Sequence, residues 1–219
     1  MDDLRPQSGG HRLVHLAMIV GTGVFHLFCY TSVNWFTRRA SLPIHDYSSF
    51  IDIWIPYLGW TGLIYYLGHF YILCVAGWIV WRLPDRKFHR AVLTYLAMIL
   101  TGAVLEVIFA SASPWPAGMI PLQRRMHRVL ALDLYACMPS MHVALTVFPT
   151  CLSFSVLRSR LARAFLIFLA TLITISTLTF KEHVFWDAVA GVALALAFYA
   201  AWRSGGRRED VPRGEAHAS

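Results

Sequence analysis

The apolar positions of the chain gather into six long, nearly unbroken runs rather than into alternating or helically spaced stripes. They are Leu13 to Tyr30, Leu58 to Trp81, Ala91 to Ala110, Met141 to Leu157, Leu161 to Phe180 and Val184 to Trp202. Crossing a bilayer as a helix takes roughly 20 mostly apolar residues. The fourth run is the shortest. Barrel strands would alternate apolar and polar residues over short segments, whereas a helix in lipid satisfies every backbone group within the segment. The pattern predicts an all-α polytopic membrane protein, a six-transmembrane-helix bundle. Residues 13–202 form the membrane domain between a cytoplasmic tail, 1–12, and a disordered cytoplasmic tail, 203–219, which is Gly-rich and then charged. Leu13 to Tyr30 contains His15 and His26 and no A-x-A cleavage pattern, so it reads as a retained helix rather than a cleaved signal.

Composition agrees, with 57% hydrophobic and 14% charged residues, and charge adds an orientation. Cytoplasmic loops of membrane proteins carry the excess of Lys and Arg. One set of connections holds Arg5, Arg12, Arg82, Arg86, Lys87, Arg90, Arg158, Arg160, Arg163, Arg203, Arg207, Arg208 and Arg213. The other holds only Arg38, Arg39, Arg124, Arg125, Arg128 and Lys181. The larger set predicts both termini in the cytoplasm, with the third and fifth connections on the extracytoplasmic face. The net charge of +7 is thereby explained as a topology signal, and nucleic acid is excluded as a partner.

Two short strings then fall at the same face. Pro139-Ser140-Met141-His142 opens the fourth run, and Lys181-Glu182-His183-Val184-Phe185-Trp186-Asp187 leads into the sixth. His183 and Asp187 are spaced i, i+4, on one helical face. A carboxylate there can accept the imidazole Nδ1–H and leave Nε2 as a nucleophile toward phosphorus. Gly191 and Ala195 continue the stripe with small side chains, letting the sixth helix press against a neighbour. Ser140 suits an N-cap, and the free N–H groups after it, with the helix dipole, suit an anion. His142 in that first turn can protonate a leaving oxygen, and Lys181 can neutralise a phosphate oxygen. Singly, each residue has an ordinary reading as an interfacial histidine, a helix start or an ion pair. Jointly they supply anion site, acid, nucleophile and orienter.

At these residues the chain resembles the type 2 phosphatidic acid phosphatase superfamily, with its Pro-Ser-x-His and later His-x-x-x-Asp strings. The wording Pro-Ser-Met-His-Val-Ala-Leu and Lys-Glu-His-Val-Phe-Trp-Asp-x-x-x-Gly is most similar to the branch that includes inositol phosphorylceramide synthase. The resemblance covers about residues 110–195. It implies a six-helix core, a phosphohistidine at His183 oriented by Asp187, proton donation by His142 and phosphate contact by Ser140. It also implies no required metal or other cofactor, and a membrane lipid phosphate or related phosphoester as substrate. The chain departs from the phosphatase pattern twice. Ser113-Pro114-Trp115-Pro116-Ala117 has no Arg before its proline, leaving Arg124 and Arg125, with Arg128, as substitutes or as a basic face touching headgroups. Ser176-Thr177 stands where Ser-Arg is usual, so Lys181 takes that role as in the inositol phosphorylceramide synthase-like branch.

The first expectation is therefore a lipid phosphatase acting on a lipid phosphate or pyrophosphate. The alternative is transfer of a phosphorylated headgroup to a lipid alcohol, since water or an alcohol can attack the same intermediate. A third reading is a non-catalytic lipid-transport protein, for which Glu106 and His69 would mark a polar pathway. Mutual or backbone hydrogen bonding inside the bundle is the simpler account of that pair. A disulfide between Cys29 and Cys137 and assembly into a homo-oligomer are left open. His11 and His15 are too few ligands to define a metal site. Trp54, Trp60, Trp81, Trp186 and Trp202 flank the runs as an interfacial belt, and Pro149 interrupts the fourth helix.

Overall fold

The structure, a computed structural model, describes residues 9–112, 121, 125 and 135–209. Helix α1 spans Gly9–Arg39 and the short α2 spans Phe50–Trp54. The second span is one continuous helical stretch. It comprises a 3₁₀ turn at Gly59–Thr61, α3 at Gly62–Phe70, a π turn at Tyr71–Val75 and α4 at Ala76–Trp81. Then follow α5 (Asp85–Ile108), α6 (Met141–Val156), α7 (Arg160–Thr179) and α8 (Phe185–Glu209). Among the described residues, five segments are long and apolar enough to cross a membrane: Arg12–Arg39, Gly59–Trp81, Asp85–Ile108, Arg160–Thr179 and Phe185–Gly206. Together with α6 they form the expected helical bundle of an integral membrane protein.

Helix ends and apolar boundaries do not coincide. Helix α1 continues past Tyr30 because its polar residues bond to their own helix: Thr31 Oγ1 donates to the Leu27 carbonyl and Asn34 Nδ2 to that of Tyr30. Helix α8 likewise runs past the Trp202 boundary to Glu209, while residues 210–219 and 1–8 lie outside the described residues.

Helix α6, at 16 residues, is about 24 Å long, short of the roughly 30 Å hydrocarbon core. It is enclosed instead of lipid-facing. Val143, Ala144, Leu145, Phe148 and Leu152 are all buried, and α8, α7 and α4 pack around it. Its polar residues turn inward on the helix itself: Thr146 Oγ1 donates to the His142 carbonyl, Thr150 Oγ1 to that of Thr146 and Ser153 Oγ to that of Thr150. The helix runs through Pro149, which has no N–H to give the Leu145 carbonyl.

Two ends of the bundle are tied separately. At one, Leu58 N donates to the Thr179 carbonyl, His45 N to that of Ala110 and Ser140 N to that of Asp187. At the other, the His15 ring stacks on Phe88 with centroids 3.7 Å apart, and the Arg90 guanidinium lies 5.1 Å over the Trp202 ring. His15 Nε2 is 3.6 Å from Asp85 Oδ1, so His15 belongs to this packing cluster. The structure contains Cys29 and Cys137 as buried thiols, without the disulfide that the sequence left open.

The contact between α6 and α8 brings backbone against backbone. A Cβ on Gly191 would lie 2.4 Å from the Ser140 carbonyl oxygen, so any side chain there drives the two helices apart. Gly191→Ala should destabilise the folded protein by about 1–3 kcal/mol, read as a lowered midpoint in thermal unfolding in detergent. Gly21→Ala, where a Cβ meets nothing within 4 Å, should leave the midpoint unchanged or raise it. Equal midpoints for the two variants would contradict this account of the joint.

Candidate active site

The end of the bundle that holds Ser140 also holds His142, Lys181, His183 and Asp187. The connection from α7 to α8 is built as a helix stop that leaves no slack. Phe180 closes α7, the Lys181 amide donates to the Leu178 carbonyl and the Glu182 amide to that of Thr177. That paired closure normally places a glycine in the left-handed position. Here the position belongs to Lys181, with φ of 62°. The His183 amide donates to the same Thr177 carbonyl, so the peptide leading into the imidazole is held from below.

The sequence pairs Ser176 and Thr177 with a usual Ser-Arg, but their hydroxyls serve the helix itself. Ser176 Oγ donates to the Ile173 carbonyl and Thr177 Oγ1 to that of Thr174. What Thr177 gives the site is its backbone oxygen.

His183 Nδ1 and Asp187 Oδ2 are 3.4 Å apart, as the i, i+4 spacing requires. The same Oδ2 accepts the Val184 amide at 3.1 Å, so the carboxylate caps the start of α8 while facing the imidazole. Asp187 is 1% exposed, and its Oδ1 is buried with no hydrogen-bond partner among the described residues. Ser140 is the N-cap of α6, its Oγ accepting the Val143 amide at 3.4 Å, and its own amide donates to the Asp187 carbonyl at 2.9 Å. The starts of α6 and α8 are thus locked together, and His142 lies within electrostatic range of His183.

His142 is placed by elements that the two strings do not contain. Its ring stacks on Tyr65 at 4.6 Å between centroids and meets His69 edge-on at 4.6 Å. Its Nε2 is buried, without a hydrogen-bond partner among the described residues, against α3 at Gly68, where a Cβ would come within 2.2 Å of that nitrogen. Buried polar atoms left unpaired are rare in folded proteins and concentrate where chemistry occurs. Tyr65, Gly68 and His69 were missed as site residues because nothing in the local pattern of α3 distinguishes them from span packing. The signal available was an intramembrane histidine beside a glycine. His69 also meets the Tyr65 ring edge-on at 5.5 Å between centroids. Glu106 is 3% exposed near Cys29, Tyr30 and Cys137.

The basic residues divide. Lys181 is partly buried and its Nζ donates to the Asp52 carbonyl at 3.0 Å. Burial lowers its ammonium below the ordinary lysine range, opposed by the nearby Asp52 charge. Arg125 is exposed, and Arg124 lies outside the described residues. Asp52 was missed altogether. Its carboxylate accepts the Phe185 amide at 2.8 Å through Oδ1, and the amide and hydroxyl of Ser49 through Oδ2.

Below the site, one turn along α6 from His142, an apolar cavity of about 240 Å³ opens between α1, the second span and α5. Gly23, His26, Ile72, Tyr95, Ile99 and Leu145 are among its lining.

Fold and cluster together define a polytopic helical membrane protein with a site of buried Ser, His and Asp and a partly buried Lys at one end of its bundle. A family model described as the PAP2 superfamily matches residues 55–201, from the second span to the last, and the chain belongs to that superfamily. Its members are phosphatases and phosphotransferases, which makes this an enzyme acting on phosphate esters. No curated protein and no solved structure matches the chain. The match is to the superfamily and does not single out the inositol phosphorylceramide synthase-like branch.

Gly68→Ala should push the His142 ring from its seat and lower phosphoester turnover as far as His142→Ala does. Helicity by far-ultraviolet circular dichroism should be retained. The double variant should be no worse than either single change, since both remove the same group. Full activity in Gly68→Ala would mean that the ring's position against α3 is irrelevant to catalysis.

Proposed function

We propose that the protein hydrolyses a lipid phosphate or pyrophosphate through a phosphohistidine on the extracytoplasmic face. The observation that supports this reading is the lock between the starts of α6 and α8, a hydrogen bond from the Ser140 amide to the Asp187 carbonyl, with His142 and His183 buried at those two helix starts. In the reading, His183 Nε2 attacks phosphorus while Asp187 holds the Nδ1 proton. The bond from phosphorus to the leaving oxygen breaks, and that oxygen takes a proton from His142. Water then attacks the phosphohistidine and gives a proton back to His142, the P–N bond breaks with its electrons returning to His183 Nε2, and phosphate departs. Ser140, whose Oγ accepts from Val143 and so retains its own proton to donate, holds a phosphate oxygen together with the first amides of α6. Lys181 balances the charge of another. The exposed Arg125, with Arg124, completes the phosphate-binding set of this proposal from the third connection.

Sidedness rests on the distribution of Lys and Arg, which puts both termini in the cytoplasm. The lipid tails approach sideways between helices, and the apolar cavity beside Leu145 supplies room for hydrocarbon next to the site. Transfer to a lipid alcohol uses the same first half-reaction, and the acceptor decides the product. Incubating purified protein with labelled lipid phosphates and phospholipids, with and without inositol or glycerol, separates free phosphate from new lipid products.

His183→Ala should abolish turnover and labelling of the protein by phosphate. His142→Ala should still be labelled by substrates with a good leaving group and fail with alkyl phosphates, because acid assistance matters most for poor leaving groups. Wild-type turnover by His183→Ala would exclude it as nucleophile.

The alkaline limb of the pH–rate profile should lie below the ordinary lysine range, since burial depresses Lys181 and activity falls as its charge is lost. Lys181→Arg, charged at every accessible pH, should remove that limb. An unchanged limb in Lys181→Arg would assign it to another group.

A further inference from the structure

Helix α2 is a single turn whose two faces differ. Phe50, Ile53 and Trp54, spaced i, i+3, i+4, are 73%, 83% and 82% exposed on one side. On the other, Asp52 reaches from the strap, the connection between α1 and the second span, to the nucleophile loop at two points. Its backbone oxygen takes Lys181 Nζ, two residues before His183, and its Oδ1 takes the amide of Phe185, two residues after it. Its Oδ2 returns to Ser49 and closes the turn of α2 itself. One residue therefore grips both flanks of the histidine. Asp52 precedes the segment that the family model matches, so membership in the superfamily does not account for it.

An exposed aromatic and aliphatic face at the rim of a membrane bundle finds its partner in the boundary between headgroups and acyl chains, where Trp and Phe are favoured. The strap joins α1 to the second span at the same end as the site. We propose that Phe50–Trp54 seats on the lipid surface, and that through Asp52 this contact holds Lys181 and His183 in working position. Asp52 is a positioning residue, and the geometry of the nucleophile is tied to the bilayer. The inference rests on the reading of His183 given above, and its first readout does not require activity.

The test uses full-length protein in phosphatidylcholine vesicles. Hydrogen exchange at the Phe185 amide should quicken in Asp52→Ala and in the triple variant Phe50→Ser, Ile53→Ser, Trp54→Ser, while α6 stays protected. Asp52→Asn keeps an acceptor for Phe185 and should stay near wild type. Ser49→Ala weakens only the cap of α2 and should do so too. With a short-chain, water-soluble phosphomonoester as substrate, Asp52→Ala and the triple variant should lose kcat by roughly 10- to 100-fold, the scale of a misplaced reacting group. KM should change little, and Asp52→Asn should restore most of the rate. The part of the fluorescence that Trp54→Phe removes should be quenched by phosphatidylcholine brominated near the headgroup. Unchanged exchange at Phe185, unchanged kcat in Asp52→Ala, or no quenching of Trp54 would each overturn the proposal. Turnover that survives His183→Ala would sink the reading of the site and leave the exchange result standing on its own.

Discussion

Everything at the site depends on one hydrogen bond between two helix starts, the Ser140 amide to the Asp187 carbonyl. The bond forms because position 191, one turn further along α8, has no side chain, which lets the backbone of α8 approach the Ser140 carbonyl. Ser140 and Asp187 are both buried within the protein, so these backbone groups are satisfied by each other. With the starts of α6 and α8 joined, the two histidines that lie forty residues apart in sequence come within electrostatic range of each other. Removing the close approach would not merely loosen packing. It would separate the residue that caps α6 from the residue that faces His183.

Around this lock the chain spends backbone bonds rather than side chains. Thr177 offers its carbonyl to two successive amides of the loop, and Lys181 occupies a left-handed position usually given to glycine. A non-glycine residue there costs of order 1–3 kcal/mol and persists where surroundings over-determine it. The surroundings here are the amide bonds on both sides and the Asp52 carbonyl that receives the ammonium. A glycine would fit the backbone more easily but would carry no charge. Strain at this residue is thus a consequence of asking one position to turn the chain and to present a cation.

The central helix shows how polar chemistry is carried inside the bundle on a helix too short to span by itself. Helix α6 is too short to cross the hydrocarbon core alone, and its neighbours surround it. Thr146, Thr150 and Ser153 satisfy themselves on preceding carbonyls, while Thr150 Oγ1 also meets the Tyr71 hydroxyl at 2.6 Å in the π turn of the second span. That π turn follows directly on Gly68 and His69, which seat His142. Local departures of this kind gather at functional sites because they re-aim neighbouring side chains.

The helical nature of the apolar runs and the two chemical strings were legible in the sequence, because continuous apolar runs and an i, i+4 spacing are local properties. So was the cap at Ser140, which needs only a polar residue at a helix start. That the fourth run, α6, is a short enclosed helix beside five longer spans was not. What surrounds His142 was not legible: Tyr65, Gly68 and His69 lie some seventy residues away, and their meeting depends on how α3 packs, which no local pattern encodes. Asp52 was hidden for the same reason, since it pairs with a loop about 130 residues further on. The Ser176-Thr177 pair was legible as a motif position, but its contribution was not, because it is a carbonyl that every residue possesses. Sequence alone determined which groups the chain carries and which segments must leave water. Tertiary structure alone decided which backbone amides and carbonyls those segments leave facing one another, because that choice is made by close approach at glycines and by loop closure rather than by residue type.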